Sequence, residues 1–330
     1  MESINLLVTT ALDEAILKQI TAVSSRIKLT SVSELIKAEK KDDATAEKQM
    51  AALLAGTEII YGFSLPENVI DRAPKLKWFQ TVSAGVDRFL DDKFRQSPVI
   101  MTSVSGIHAV PIGEFVLGLM LMLAKQAPLA FQQKQQQQWK PFVPMVLRSK
   151  TVGIVGLGNI GREVARLAKA FGMRVVATRR SAPKAQRARY VDRLFAPDQL
   201  LELLSESDFV VLTLPLTKET HRIIGEAELR SMKPTAYLIN VARGQVVDEE
   251  ALIHAVEENR IAGAGLDVFT REPLPADSRL WELPNVIISP HVAGLMEDYG
   301  VQATAVFCQN LRRYLAGKRL INVVDKERGY

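Results

Sequence analysis

The chain has 330 residues, of which 47% are apolar and 24% charged, with a formal net charge of +5. That length exceeds one ordinary domain and suits two, and the balance excludes a disordered or fibrous chain. No run of about 18 apolar residues predicts a membrane helix, the start Met1-Glu2-Ser3 lacks the basic opening of a signal peptide, and the lone Cys308, which cannot make an internal disulfide, points to a reducing, cytoplasmic setting.

In chain order, apolar runs and helical periodicity alternate. Ile4–Val8 reads as a strand and Asp13–Val23 as a helix. Lys37–Gln49 reads as an exposed helix whose apolar side continues through Met50–Leu54. Glu58–Tyr61, Lys77–Gln80 and Val99–Thr102 read as strands. Pro111 opens a long helix, Ile112–Ala124, with too few charges for a solvated face. The glutamine-rich Gln132–Gln138 reads as a solvated helix ending before Trp139. A second series then begins. Strands are predicted at Thr151–Val155, Arg174–Ala177, Leu194, Phe209–Leu214, Ala236–Val241, Gly263–Leu266 and Val286–Ile288. Helices are predicted at Ile160–Phe171, Pro197–Ser205, Glu226–Ser231, Glu249–Glu258 and Asp298–Ala316. The βαβ rhythm predicts α/β architecture with two doubly wound parallel sheets. One domain is expected to run from 104 to 292, and the other to combine 1–103 with 293–330.

Between the strand Thr151–Val155 and its helix lies Gly156-Leu157-Gly158-Asn159-Ile160-Gly161. This is the Gly-x-Gly-x-x-Gly pattern in the context that gives it meaning. The first glycine permits a tight turn, the second lets the backbone approach a pyrophosphate, and the third lets helix and strand pack closely. The pyrophosphate would rest on the free N–H groups at the helix N-terminus. The next strand ends in Thr178-Arg179-Arg180-Ser181, without the acid that would bind the ribose hydroxyls of NAD. Two arginines and two hydroxyls suit a 2′-phosphate, so NADP(H) is expected to be preferred, with NAD(H) second. The basic run Arg179, Arg180, Lys184, Arg187, Arg189 and Arg193 has no aromatic interleaving or nucleic-acid module, and no nucleic-acid partner is expected.

Three later segments place polar residues just beyond strand ends, where ligands bind in open α/β sheets. They are Asn240-Val241-Ala242-Arg243-Gly244, Leu266-Asp267 through Glu272-Pro273, and Ser289-Pro290-His291. No His/Cys/Asp group has metal-ligand spacing, so no metal is expected.

With the glycine loop, these motifs resemble in order and spacing those of the D-isomer-specific 2-hydroxyacid dehydrogenases, from about Glu58 to about Gly317. The resemblance implies two Rossmann-like domains with the active site in the cleft between them. It implies hydride transfer between a nicotinamide cofactor and a 2-oxo acid/D-2-hydroxy acid pair, with glyoxylate and hydroxypyruvate among the candidates. Arg243 resembles the arginine that grips the substrate carboxylate, a task a permanently charged fork performs well. His291 resembles the general acid that protonates the oxo oxygen, as an imidazole titrating near neutrality can. Glu272 resembles the carboxylate that pairs with His291 and orients its ring. Asp267 resembles the residue beside the nicotinamide carboxamide. Asn159, Ile160, Leu214, Pro215 and Val241 complete the implied cofactor contacts. Val82-Ser83-Ala84-Gly85-Val86-Asp87 resembles the loop whose N–H groups hold the substrate carboxylate, so Ser83, Ala84 and Gly85 are implied substrate contacts. Phe63 and Trp139 resemble pocket residues, the tryptophan sometimes coming from a partner subunit. The family also implies a homodimer, here through the helix Ile112–Ala124. A different class on the same fold, nucleotide-regulated corepressors acting as binding modules, is the alternative; their cofactor is NAD(H), which Arg179 and Arg180 do not favour.

Overall fold

Both βαβ series become parallel sheets in the computed structural model, which describes residues 3–39, 41–180 and 188–329. Ser181, Lys184 and Arg187 lie outside the described residues. The chain divides into two units, Met1–Ile107 with Met296–Tyr330, and His108–Leu295.

The first unit holds β1 (Ile4–Val8), β2 (Ile27–Ser31), β3 (Ile59–Gly62), β4 (Trp78–Thr81) and β5 (Ile100–Thr102), all parallel in the order β2-β1-β3-β4-β5. Strands β3 and β4 are buried throughout because helices cover both faces, hence their continuous apolar runs. One face packs Leu7, Ile60 and Phe79 against Ile36, Met50 and Leu54. The other receives the C-terminal helix Tyr299–Leu315, whose Phe307 stacks on Tyr61 at 4.1 Å and on Trp78 at 5.2 Å. Such ring pairs are worth about 0.5–1.5 kcal/mol beyond the area they bury.

Two local differences from the sequence reading occur here. Strand β2 was not anticipated: it is an edge strand in which only Ile27 is buried, so its apolar signal is thin. The single helix expected over Lys37–Gln49 is two, Ser33–Glu39 and Ala44–Leu54. Asp43 separates them, its carboxylate accepting from the N–H groups of Thr45 and Ala46 at 2.9 and 3.2 Å. A good N-cap residue overrides continuous polar periodicity.

The second unit holds β6 (Thr151–Val155), β7 (Arg174–Thr178), β8 (Arg193–Phe195), β9 (Phe209–Leu212), β10 (Tyr237–Asn240), β11 (Gly263–Leu266) and β12 (Val286–Ile288). They form one parallel sheet in the order β12-β11-β10-β9-β6-β7-β8. The direction of winding reverses between β6 and β9, the position at which such sheets open a ligand crevice. The predicted helix Pro197–Ser205 is a 3₁₀ turn, Pro197–Gln199, followed by the helix Leu200–Glu206. Arg193, part of the basic run, stacks on Phe195 and pairs with Glu202 and Glu206.

The long apolar helix spans Ala109–Ala124, and Ile112, Val116, Leu119, Met120 and Leu123 are buried in the unit's own core with Val164, Ala165 and Ile154. One stripe of this helix is therefore covered by the unit's own core, while Val110 and Met122 on the same helix are exposed, as are Phe131, Trp139, Val143 and Val146. Among the described residues, no single helix is long and apolar enough to cross a membrane.

Candidate active site

At the end of β6 the chain turns through Gly156 with φ of +102°, a left-handed conformation that favours glycine. A side chain there would press on the Leu214 backbone at 3.0 Å, and one at Gly161 would strike the Gly156 carbonyl oxygen at 2.5 Å. Gly158, the N-cap of the helix Asn159–Ala170, has open space around it, with no heavy atom within 4 Å of a Cβ built there. Two glycines are thus required by packing, and the third keeps space clear at a helix N-terminus. That is the cradle a dinucleotide pyrophosphate needs, so the residues present fit the nicotinamide cofactor.

Thr178 braces this loop. Its carbonyl accepts from the Leu157 N–H at 3.0 Å and its hydroxyl accepts from the Gly156 N–H at 3.3 Å. The side chain predicted to greet a phosphate is buried and holds the glycine turn. Arg179 is half-buried and Arg180 exposed. The Glu219 carboxyl is held below its usual range, first by the Thr217 hydroxyl at 2.7 Å and more weakly by the charge of Arg180. The charge of Arg180 is thus felt at Glu219. Leu214 and Val241 are buried behind the cradle, Leu214 against Gly156.

Arg243, Glu272 and His291 follow β10, β11 and β12, adjacent parallel strands whose carboxyl ends face the same way. His291 Nδ1 lies 2.8 Å from Glu272 Oε2, and the other carboxylate oxygen accepts from the Phe269 N–H at 3.1 Å. The glutamate is thereby oriented before it orients the imidazole. Both side chains keep a third to a half of their surface exposed, as groups that meet a substrate must.

His291 has φ of +54°, a conformation costing a non-glycine residue of order 1–3 kcal/mol. What offsets it is Asp267. The His291 N–H donates to the Asp267 carbonyl at 2.9 Å. The Asp267 carboxylate, 1% exposed, accepts from the Ser289 hydroxyl at 2.7 Å and from the N–H groups of Val292 and Ala293 at 2.9 Å each. The Asp267 carboxylate is thus buried and bonded within the turn that carries His291.

Arg243 is held by a similar device. The Asn240 side chain, 1% exposed, accepts from the Ala242 N–H at 3.0 Å and donates to the Arg243 carbonyl at 2.9 Å. Gly244 then passes so close to the Phe269–Thr270 backbone that a Cβ would lie 1.9 Å from the Phe269 carbonyl carbon. Asn240 and Gly244 sit inside the motif read from the sequence, but their clamping roles depend on which neighbour the turn meets. His108 caps the helix Ala109–Ala124, and its ring packs where a Gly294 side chain would go. Burial, with a smaller contribution from the Arg243 charge, lowers its pKa to about 4.

In the five-stranded unit, the loop after β4 is braced internally. The Ser83 N–H donates to Thr81 Oγ1 at 3.1 Å and the Ser83 hydroxyl donates to the Gly85 carbonyl at 2.7 Å. The Tyr299 hydroxyl donates to the Val82 carbonyl. Phe63 is half-exposed at the end of β3. Trp139 is 96% exposed, so it lines no pocket within its own chain.

Comparison with known proteins identifies the family. Residues 117–293 match the family described as D-isomer specific 2-hydroxyacid dehydrogenase, NAD binding domain. The chain is 38% identical over 276 residues to glyoxylate/hydroxypyruvate reductase B of Pectobacterium carotovorum subsp. carotovorum, covering 81% of this chain and 84% of that one. It is 36% identical over 269 residues to a glyoxylate reductase of Korarchaeum cryptofilum, covering 78% and 79%. Among solved structures, a D-isomer specific 2-hydroxyacid dehydrogenase from Xanthobacter autotrophicus in complex with NADPH and MES superposes with a TM-score of 0.84 at 29% identity, covering 99% of this chain and all of that one. The chain therefore belongs to the D-isomer specific 2-hydroxyacid dehydrogenase family and is an NAD(P)-dependent 2-hydroxyacid oxidoreductase.

Proposed function

We propose that the protein is a 2-oxo acid reductase of the glyoxylate/hydroxypyruvate type that prefers NADPH and uses Arg243, Glu272 and His291. The observation that carries this is the oriented Glu272–His291 pair at 2.8 Å, one strand from Arg243. A bound nicotinamide cofactor supplies the hydride that C2 receives. His291 delivers the proton that turns the oxo oxygen into a hydroxyl, and in the reverse direction it takes that proton back. Glu272 fixes the ring orientation, so the other nitrogen faces the substrate. Arg243 grips the carboxylate and draws charge from the oxo group. In the loop after β4, Ser83 spends its N–H on Thr81, which leaves Ala84 and Gly85 to donate to a carboxylate. Relatives named for glyoxylate and hydroxypyruvate support a small substrate.

NADPH preference rests on Arg179 and Arg180 after β7 and on the NADPH held by the Xanthobacter structure. The exposed Phe131, Trp139, Val143 and Val146 support a homodimer, and the buried thiol of Cys308 suits a cytoplasmic protein. His291→Ala should lower kcat for glyoxylate reduction by ~10²–10⁴-fold, the usual share of a general acid, with NADPH affinity by fluorescence unchanged. Normal turnover in that variant would remove His291 from the mechanism.

A further inference from the structure

The loop that carries Glu272 passes Phe269, which is buried, and then runs over the surface: Thr270, Arg271, Glu272 and Pro273 are exposed. Apolar burial does not fix the course of these four residues, so hydrogen bonds have to. The Glu272 carboxylate reaches back to the Phe269 N–H at 3.1 Å and forward to His291 Nδ1 at 2.8 Å. The first of these contacts spans the peptides on either side of Thr270. It holds its geometry only while those two planar units keep their orientation.

The segment after Arg243 holds both of them. Gly244 lets the two backbones meet: a Cβ there would lie 1.9 Å from the Phe269 carbonyl carbon and 2.3 Å from the Thr270 nitrogen. Glu249, the first residue of the helix Glu249–Glu257, accepts the Thr270 N–H through Oε2 at 2.9 Å. Gln245, in the 3₁₀ turn Gly244–Val246, donates from Nε2 to the Thr270 carbonyl at 3.1 Å. Both backbone groups of Thr270 are thus engaged by side chains of one short segment. The acids beside Glu249 have other duties. Asp248 caps the helix, accepting from the Ala251 N–H at 3.3 Å, and pairs with Arg222 at 3.5 Å, while Glu250 pairs with Arg279. The helix dipole favours any acid in this first turn; it does not account for a carboxylate turned onto a loop 21 residues away in the chain.

We infer that Glu249 is a positioning residue for the acid pair: it acts through Thr270 on Glu272, and Gln245 complements it from the carbonyl side. The inference rests on reading His291 and Glu272 as that pair. It also ties the two ends of the site together, since the segment that presents Arg243 to a carboxylate sets the course of the loop that aims the imidazole.

The test follows NADPH oxidation by glyoxylate in a single turnover, so that product release does not mask the chemical step. Glu249→Ala should lower that rate by about two- to tenfold, as one lost hydrogen bond allows, with NADPH affinity by fluorescence unchanged. Glu249→Gln keeps an oxygen for the Thr270 N–H and should restore most of the rate. The deciding comparison is Glu249→Ala in a Glu272→Ala background, where no carboxylate remains to be held. There it should cost nothing further, because changes that act through one shared group are not additive. Gln245→Ala releases the Thr270 carbonyl and should show the same dependence on Glu272; it carries the test if Glu249→Ala does not fold. A wild-type rate in Glu249→Ala, or an equal fall in both backgrounds, overturns the positioning role alone. A wild type that leaves glyoxylate unreduced, or normal turnover in His291→Ala, overturns the functional reading and the positioning role with it.

Discussion

The two parallel sheets of this chain are wound by the same rules and end in opposite ways at their reversal points. In the seven-stranded sheet the winding reverses between β6 and β9, and β6 runs into Gly156, Gly158 and Gly161. In the five-stranded sheet it reverses between β1 and β3. There the chain places Thr9 against Gly62, so tightly that a Cβ on the glycine would lie 2.1 Å from Thr9 Oγ1. One crevice is kept open over a helix N-terminus, and the other is filled by a buried threonine. The sheet does not make a nucleotide site by itself; three glycines at one strand end do.

Glycine substitutions break this comparison most severely. Gly161→Ala forces a methyl onto the Gly156 carbonyl. Overpacking should cost about 1–3 kcal/mol of stability, so the melting temperature should fall, and NADPH affinity should fall as the loop is displaced. Gly158→Ala meets no heavy atom within 4 Å, so it should weaken NADPH without lowering the melting temperature of the free protein. Gly62→Ala should do the reverse, destabilising the protein while NADPH still binds. Fluorescence titration and thermal melts of the three variants separate the roles. Equal NADPH affinity in Gly158→Ala and wild type would mean that the space is not the pyrophosphate's.

A smaller effect tests the end of β7. Arg179→Ala should cut the kcat/KM preference for NADPH over NADH by about tenfold, the lower end for a screened charge-assisted contact. Arg180→Ala should cut it less, because Arg180 is exposed where Arg179 is half-buried. A wild type that uses both cofactors equally at moderate salt would make both arginines surface residues.

The smallest effect concerns His108. Its folded pKa, about 4, lies below the ordinary value of 6.5. Between those values the unfolded chain binds the proton and the folded one does not, so stability falls as pH drops through this window and levels below about 4. From pH 7 to pH 5.5 the loss through this residue should be about 1 kcal/mol. Denaturant unfolding of His108→Gln should show that much less pH dependence than the wild type. An equal slope in both proteins would place the cause elsewhere.

Much of this architecture is legible in the sequence where a residue type answers a backbone demand. The glycine spacing after Thr151–Val155 locates the cofactor loop, and Arg243, Glu272 and His291 each follow a recognisable strand. Edge strand β2 escapes notice because one buried face supplies too little apolar signal. The break at Asp43 is visible only to someone who gives its cap more weight than the periodicity on either side. The duties of Asp267, Asn240 and Thr178 are hidden for another reason. A sequence shows that a carboxylate, amide or hydroxyl is present at a strand end. Whether it turns toward a ligand or into its own loop depends on donors that come from strands far away in the chain.

Asp267 illustrates what such an inward turn achieves. The turn bearing His291 hangs on its carboxylate and carbonyl, while Glu272 is pinned to the Phe269 N–H, two residues further along the same loop. His291 and Glu272 therefore share one reference point. When β11 and β12 shift together, imidazole and carboxylate travel as one piece, and the 2.8 Å between them is preserved. Alignment here tolerates a breathing scaffold because both groups are measured from the same peg.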